Sequence, residues 1–599
     1  MKHFLQSVLK NALSLALGYV FLIIIGFVGL FFLFKSLEKE PEPVPEDSIL
    51  VIDLSVPVTD SPQPAMLGQM LLDSVAGAAE SPHYLLEVLD AINSAARNDR
   101  INGILLHGSL PADRAGIGLS GLREIREALH VFSGNGKSVT AYLDDPGIGE
   151  YYLASAADSI HLNPFGMITL NGLSIESPFF GEAFDKYGVG VQVVRTGRYK
   201  SAVEPFVRKN MSEPNRKQLK ALLQDTWNLV LSDIDHARDL EEDVFRKNGP
   251  GGVFDAKEAL KNGLVDRVAY FDETLEQISG EAADDPGSNT FRQISLRRYI
   301  KQTIGAGLAS QQGNIAVVYA AGSLVNQTSE PGVVDARQLN RKLRELRKDD
   351  SVRAVVLRVN SPGGSALAAE SIHREALLLS REKPLVASFG DSAASGGYWV
   401  ATPARKIFAE PTTITGSIGV FGLLFDIDAF ADQFGVDFDR VELGPYAGMY
   451  SITREKTGKE LALFQERVDG LYDDFVERVS NGRDLSEEQV HEIAEGRIHS
   501  GSAARANGLV DETGGLHAAI QYAADEANIE SPEILQFPAP RSSVEALADL
   551  FGKDAPPVAR FKNLDLSERL IAKHAPLLRL LRSGPGAYAL LPFDIRIDF

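Results

Sequence analysis

The sequence contains no cysteine, which excludes disulfide bridges, thiolate metal sites and a cysteine nucleophile. It also lacks an excess of basic residues: 60 lysines and arginines stand against 81 aspartates and glutamates, a formal net charge of -21. A nucleic-acid partner needs a concentrated basic surface, and no basic tract offsets this balance, so no such partner is expected. The eleven histidines are scattered, with no HExxH or comparable ligand spacing, so neither a metal site nor another cofactor is expected. The GxSxG nucleophile elbow of α/β-hydrolases is missing as well.

One long uncharged run is present. Residues 11–34, NALSLALGYVFLIIIGFVGLFFLF, would as a helix rise about 1.5 Å per residue and cross a hydrocarbon core of about 30 Å. The run is too long for the apolar part of a signal peptide, and KSLEKEPEPVPEDS follows it without a small-residue cleavage site. An uncleaved anchor in the lipid bilayer is therefore expected. Lys2 and Lys10 before the span are matched by Lys35 and Lys39 after it, so the positive-inside rule only just places residues 1–10 in the cytoplasm. Residues 35–47, charged and proline-rich, read as an extended linker.

Beyond the linker the chain reads as α/β. Apolar runs at 48–54 (SILVIDL), 101–108 (INGILLHG) and 138–144 (SVTAYLD) alternate with helical stretches such as 84–97. The same alternation returns at 314–322 (NIAVVYAAG), 351–360 (SVRAVVLRVN) and 384–390 (PLVASFG), the signature of largely parallel sheets. The two halves are also related to each other. A constant shift of 247 brings Tyr151, Pro164, Gly172, Asp185, Gly188, Val189, Gly197 and Tyr199 onto Tyr398, Pro411, Gly419, Asp432, Gly435, Val436, Gly444 and Tyr446. NGLVD recurs at 262–266 and 507–511, a shift of 245, so an internal duplication is expected. The reading divides the soluble chain into repeat domains at 48–310 and 311–540 and a tail at 541–599, whose 566–582 stretch suits a basic amphipathic helix.

Chemistry has two candidate loci in the second half. Gly390-Asp-Ser-Ala-Ala-Ser395-Gly-Gly-Tyr-Trp puts Ser395 between a strand and a helix, where free N–H groups and the positive end of the helix dipole stabilise an oxyanion. A plain N-cap serine explains the same letters. Asn360-Ser-Pro-Gly-Gly-Ser365 would present the N–H groups of Gly363 and Gly364, although a strand-to-helix turn capped by Ser365 is equally compatible. A serine hydroxyl needs a base, and no histidine is marked out by its neighbours. Lys200, in GRYKSA after the apolar VGVQVVR, can serve if burial keeps its amine neutral; on local sequence alone it is a surface lysine. The duplication sharpens the choice, because the 247 shift sets Ile148 opposite Ser395, Ala447 opposite Lys200 and Leu170 opposite Ser417. Each half lacks the other's group, which points to one composite site per chain.

The two-repeat layout together with GRYKSA, NSPGGS, DSAASGGYW and TGSIGV resembles the long bacterial form of signal peptide peptidase A, or protease IV. The resemblance implies Clp-protease/crotonase-like folds in both halves, following one N-terminal transmembrane helix. It further implies a homotetramer, a catalytic part facing the periplasm from the bacterial inner membrane, and spent signal peptides among the substrates. Residue by residue it assigns Ser395 as nucleophile, Lys200 as base, Ser417 as the group orienting Lys200, and Gly363 with Gly364 as the oxyanion hole. Two rival readings stand beside it: a crotonase-type acyl-CoA enzyme, which needs no serine nucleophile, and a membrane scaffold without activity.

Overall fold

Runs such as SILVID and AVVLRVNS are apolar almost without interruption, the pattern of parallel strands covered on both faces. In the computed structural model they form two such sheets. The structure describes residues 43–62, 82–111, 116–240, 252–282, 292–303, 313–328, 332–539 and 587–590, with Gly18 and Val244 as isolated positions. Residues 1–45 and 46–599 are separate compact units, and all that follows concerns the second. The expected anchor at 11–34 lies, apart from Gly18, outside the described residues. Among the described residues no helix is long and apolar enough to cross a membrane.

The first sheet has six parallel strands in the order Arg267–Val268, Ser159–Leu162, Ser138–Leu143, Ile101–His107, Ser48–Asp53 and Gln293–Ser295. The second runs Ile498–Ser500, Ile414–Gly416, Leu385–Ala394, Ala354–Ser361, Ile315–Ala321 and Ile534–Phe537, with Lys406–Ala409 and Glu512–Thr513 alongside. Helices Ala336–Lys348 and Ala366–Ser380 bury Leu339, Leu343, Leu346, Ile372 and Leu379 on one face of it. Helix Leu516–Glu526 covers the other face, where Leu86 of the first half joins the same core.

The duplication is visible element by element. Met167–Thr169 pairs antiparallel with Val253–Asp255, and Ile414–Gly416 pairs antiparallel with Ile498–Ser500. Helix Glu213–Arg238 recurs as Gly458–Arg483; Ser212 and Thr457 cap their first turns, and Asp239 and Asp484 end them in the left-handed conformation. Individual hydrogen bonds repeat too. Tyr151 Oη donates to the Leu264 carbonyl and Tyr398 Oη to that of Leu509, each at 2.7 Å.

A third, mixed sheet joins the halves, in the order Val333–Asp335, Ser323–Val325, Gly363–Ser365, Ala587–Leu590, Phe421–Asp426 and Gly190–Arg195. Its last pair is antiparallel, with Arg195 opposite Phe421 and Gly190 opposite Asp426. That register brings the segment just after Arg195, which holds Lys200, against the segment just before Phe421, which holds Ser417. Two local expectations are revised here. The strand before Ser395 continues to Ala394 instead of ending near Phe389, and Gly363–Ser365 is a short strand, not only a turn.

Candidate active site

Lys200 lies at the end of a tight turn, its N–H donating to the Gly197 carbonyl at 3.2 Å. The neighbouring Tyr199 N–H donates to the Glu495 carbonyl at 2.9 Å, so a loop of the second half holds the lysine's backbone. Gly496 is needed there: a methyl on its Cα would lie 2.6 Å from both Cβ and N of Lys200.

The side chain is completely buried and crosses to the second half. Its Nζ lies within hydrogen-bond reach of Ser395 Oγ at 2.7 Å, the Ser417 carbonyl oxygen at 2.9 Å and Ser417 Oγ at 3.0 Å. Burial pushes the amine well below the usual lysine range, and among the described residues no neighbouring charge is set against it. An ammonium here would be a buried cation without a carboxylate, which is costly, so the neutral amine is favoured.

Ser395 ends the strand Leu385–Ala394 with φ 55° and ψ -119°, outside the regions an L-residue ordinarily occupies. Such a conformation costs on the order of 1–3 kcal/mol and persists only where its surroundings impose it. Here the Ser395 N–H is held by the Gly416 carbonyl at 2.8 Å, and the side chain makes no cap to helix Gly396–Ala401. The strained turn therefore points Oγ at Lys200, and the N-cap alternative does not apply. Ser417 is likewise at positive φ, 51°, with its N–H bonded to the Arg497 carbonyl at 2.7 Å.

Gly363 and Gly364 adjoin this pair. Gly363 adopts φ 97°, and its N–H donates to Ser361 Oγ at 3.1 Å. A methyl on Gly396 would meet Gly364 N at 3.2 Å and Gly363 Cα at 3.3 Å, so three glycine backbones crowd together beside Ser395. Ser365, in contrast, has the bland role open to it: Oγ caps helix Ala366–Ser380 by accepting from the Ala368 N–H at 3.4 Å.

Sequence reasoning missed the supports around these residues. Gln218 binds the Lys200 turn from below, Nε2 donating to the Tyr199 carbonyl at 3.2 Å and Oε1 accepting from the Ile498 N–H at 3.2 Å. Arg358, in the strand that leads to Gly363, is fully buried; its Nη2 lies 2.6 Å from both Asp60 and Glu124 of the first half, and its Nη1 donates to Ser388 Oγ at 2.8 Å. Burial alone would lower its affinity for a proton, but the two carboxylates keep it charged. An arginine inside the run AVVLRVN was the visible signal for that cluster.

The sequence pattern of Peptidase family S49 matches residues 132–283 and again 378–530. The chain belongs to peptidase family S49. As an S49 member it is a serine peptidase, and its first matched segment contains Lys200 while the second contains Ser395 and Ser417. It is 32% identical to protease 4 of Salmonella typhi over 86% of this chain and 84% of that protein. It is 32% identical to protease 4 of Haemophilus influenzae over 88% and 85%, respectively. The chloroplastic serine protease SPPA of Arabidopsis thaliana shares 32% identity over 73% of this chain and 64% of its own length.

Proposed function

We propose that this S49 peptidase works by a Ser-Lys dyad, with Ser395 as nucleophile and Lys200 as general base. The observation that carries the reading is the 2.7 Å contact between a fully buried Lys200 Nζ, depressed by burial, and Ser395 Oγ on a strained turn. Neutral Lys200 takes the hydroxyl proton as Oγ attacks a peptide carbonyl, then gives that proton to the leaving amine. Water hydrolyses the resulting acyl-enzyme by the same base. Ser417 orients the amine through both of its oxygens. Gly363 and Gly364 line the oxyanion hole; we add Gly396, whose position one residue after Ser395 and beside Gly364 supports a further N–H donor.

The wider reading goes with it: an endopeptidase anchored by residues 11–34, facing the periplasm, built from two Clp-protease/crotonase-like domains, assembled as a homotetramer and acting on spent signal peptides and other hydrophobic peptides. The repeated sheets and the resemblance described above support this. A peptide-based acylating inhibitor followed by mass spectrometry tests the dyad. An adduct on Ser395 is expected in the parent chain and none in Ser395→Ala. An adduct on another residue, or hydrolysis retained by Ser395→Ala, overturns it; a crotonase-type acyl-CoA enzyme would form no Ser395 adduct at all.

A further inference from the structure

The two halves share one framework behind the nucleophile, but a single position differs in a way that leaves space. In the first half, helix Leu119–Gly134 turns Arg126 inward, where it is buried. Its Nη1 donates to the Tyr152 carbonyl at 2.6 Å and to Ser155 Oγ at 2.5 Å, and its Nη2 donates to the Asp233 carbonyl at 2.8 Å. The guanidinium thus pins the end of helix Ile148–Ala154 to helix Glu213–Arg238. The 247 shift makes His373 the counterpart of Arg126, Trp399 of Tyr152 and Thr402 of Ser155. The 245 shift, which relates the two long helices, makes Arg478 the counterpart of Asp233.

An imidazole is shorter than an arginine side chain, and the second half has a cavity of about 470 Å³ at this place, lined among others by Glu370, His373, Arg374, Thr402, Glu477 and Arg478. That is room for a small molecule. The acceptors that hold Arg126 recur: the carbonyls of Trp399 and Arg478, and Thr402 Oγ, which donates to the Trp399 carbonyl at 2.9 Å just as Ser155 Oγ donates to that of Tyr152 at 2.8 Å. His373 adds a fourth. Its side chain is 6% exposed, yet Nδ1 has no hydrogen-bond partner among the described residues, Glu370 Oε2 standing 3.6 Å away. Burial lowers its pKa to about 4, so the ring is neutral at ordinary pH and repels no cation. The flanking ion pair has exchanged its ends as well. Arg123 with Asp233 in the first half becomes Glu370 with Arg478 in the second, and the aromatic donor follows the carboxylate, Tyr152 Oη to Asp233 at 2.6 Å and Trp399 Nε1 to Glu370 at 2.9 Å. A carboxylate therefore lines the cavity where the first half has a guanidinium.

We infer that this cavity binds a free guanidino amino acid, whose guanidinium takes the place that Arg126 fills in the first half. Its N–H groups donate to the Trp399 and Arg478 carbonyls, Thr402 Oγ and His373 Nδ1, and Glu370 meets its charge. Arg374 and Glu477, both exposed, carry the opposite charges that an α-carboxylate and an α-ammonium need. A neutral isostere keeps the shape but loses the charge-assisted bonds, and a lysine ammonium is a point charge that cannot fork across several acceptors in one plane. The site stands behind the nucleophile, not in its cleft: Trp399 is on the helix that follows Ser395, and its N–H donates to the Ser395 carbonyl at 2.9 Å. A bound guanidinium braces helix Gly396–Ala401 as Arg126 braces Ile148–Ala154. The inference does not depend on the Ser395–Lys200 reading.

The test is isothermal titration and thermal unfolding of the detergent-purified full chain with L-arginine, L-citrulline and L-lysine at matched ionic strength. Arginine is expected to bind once per chain and to raise Tm, with citrulline and lysine weaker by about tenfold or more. His373→Arg restores the side chain that the first half uses; it is expected to raise Tm without ligand and to abolish the response to arginine. Thr402→Val removes one acceptor at nearly constant shape and is expected to weaken arginine by about threefold or more. Arginine that binds no more tightly than citrulline or lysine overturns the inference. So does an arginine response that persists undiminished in either variant, since the ligand then acts through the solvent or at another place. Should His373→Arg fail to fold, Thr402→Val and the citrulline comparison decide.

Discussion

Lys200 bears two opposing demands, and replacing it separates them. On the proposed reading its amine accepts the Ser395 proton across 2.7 Å, and among the described residues no second base is hydrogen-bonded to that hydroxyl. General-base catalysis is worth about 10²–10⁴-fold, and residues acting as one unit lose nearly the whole effect together. Lys200→Ala should therefore lower kcat/KM by about 10⁴-fold, about 5.4 kcal/mol at 1.36 per decade, and should match Ser395→Ala. Combining the two should be no more than about threefold worse than either alone, where independent contributions would multiply. Lys200→Arg should fail equally, because guanidinium stays protonated and cannot accept the proton. In the parent enzyme kcat/KM should rise with pH through the depressed lysine pKa. The stability effect has the opposite direction of benefit. Burial lowers the folded-state pKa, so the unfolded chain binds more protons between that value and the ordinary lysine range, and stability rises with pH across that window. Lys200→Met should accordingly raise Tm most at the acid end of the window and lose its advantage toward pH 10. The assays are a fluorogenic hydrophobic peptide and thermal unfolding across pH. A Lys200→Arg enzyme within tenfold of the parent would refute the base assignment, as would a double variant that shows the product of both losses.

Ser417→Ala removes one of three hydrogen-bond partners of the Lys200 amine, a bond worth about 0.5–1.5 kcal/mol. It should reduce kcat by about 2- to 13-fold with KM little changed, measured by steady-state kinetics. Arg358→Met leaves Asp60 and Glu124 buried without their cation and should destabilise by about 3–5 kcal/mol in denaturant unfolding; restoring balance with Asp60→Asn and Glu124→Gln should recover part of that loss. Burial, with the Glu124 charge, pushes the Glu410 carboxyl up to about 8 although Arg123 lies 3.0 Å away. Its folded-state pKa is raised, so the associated stability is present below the ordinary glutamate range and lost as pH rises toward 8 and beyond. Glu410→Gln should flatten the fall in Tm between pH 5 and 9.

Much of this architecture was legible because the two halves report on each other. Apolar runs at 48, 101, 138, 314, 351 and 384 became strands within a few residues of where they were read, since parallel strands buried on both faces leave an unbroken apolar signature. The 247 shift separated Ser395 and Lys200 from their unreactive counterparts Ile148 and Ala447, and the structure sets the pair 2.7 Å apart. What stayed illegible was long-range and mediated by backbone. The positive φ at Ser395 and Ser417 is accompanied by N–H bonds to the carbonyls of Gly416 and Arg497, which no side-chain letter encodes. Gln218 and Gly496 support the Lys200 turn from residues 18 and 296 positions away, where local pattern says nothing. The strand at 587–590 follows a long stretch without strand signals, and only its partners on both edges define it.

The division of the pair between halves has a physical consequence for when the enzyme can act. Lys200 is neutral only where water is excluded, and that exclusion is produced by the second half: Ser417 and Ser395 at its amine, Gly496 against its backbone, and Phe421–Asp426 paired with Gly190–Arg195 just upstream. Separate the halves and the amine returns to water, regains its ordinary pKa near 10.4 and is protonated at neutral pH. On the proposed reading Ser395 then lacks its base, and its strained turn loses the contact from Lys200 that accompanies it. Arg358 ties the halves together as well, because its two carboxylates belong to the first half and the strand it sits in leads to Gly363. A partly folded chain, which is the state in which a protease most endangers its own backbone, therefore has neither base nor ordered glycine pocket. Docking of the halves assembles both at once.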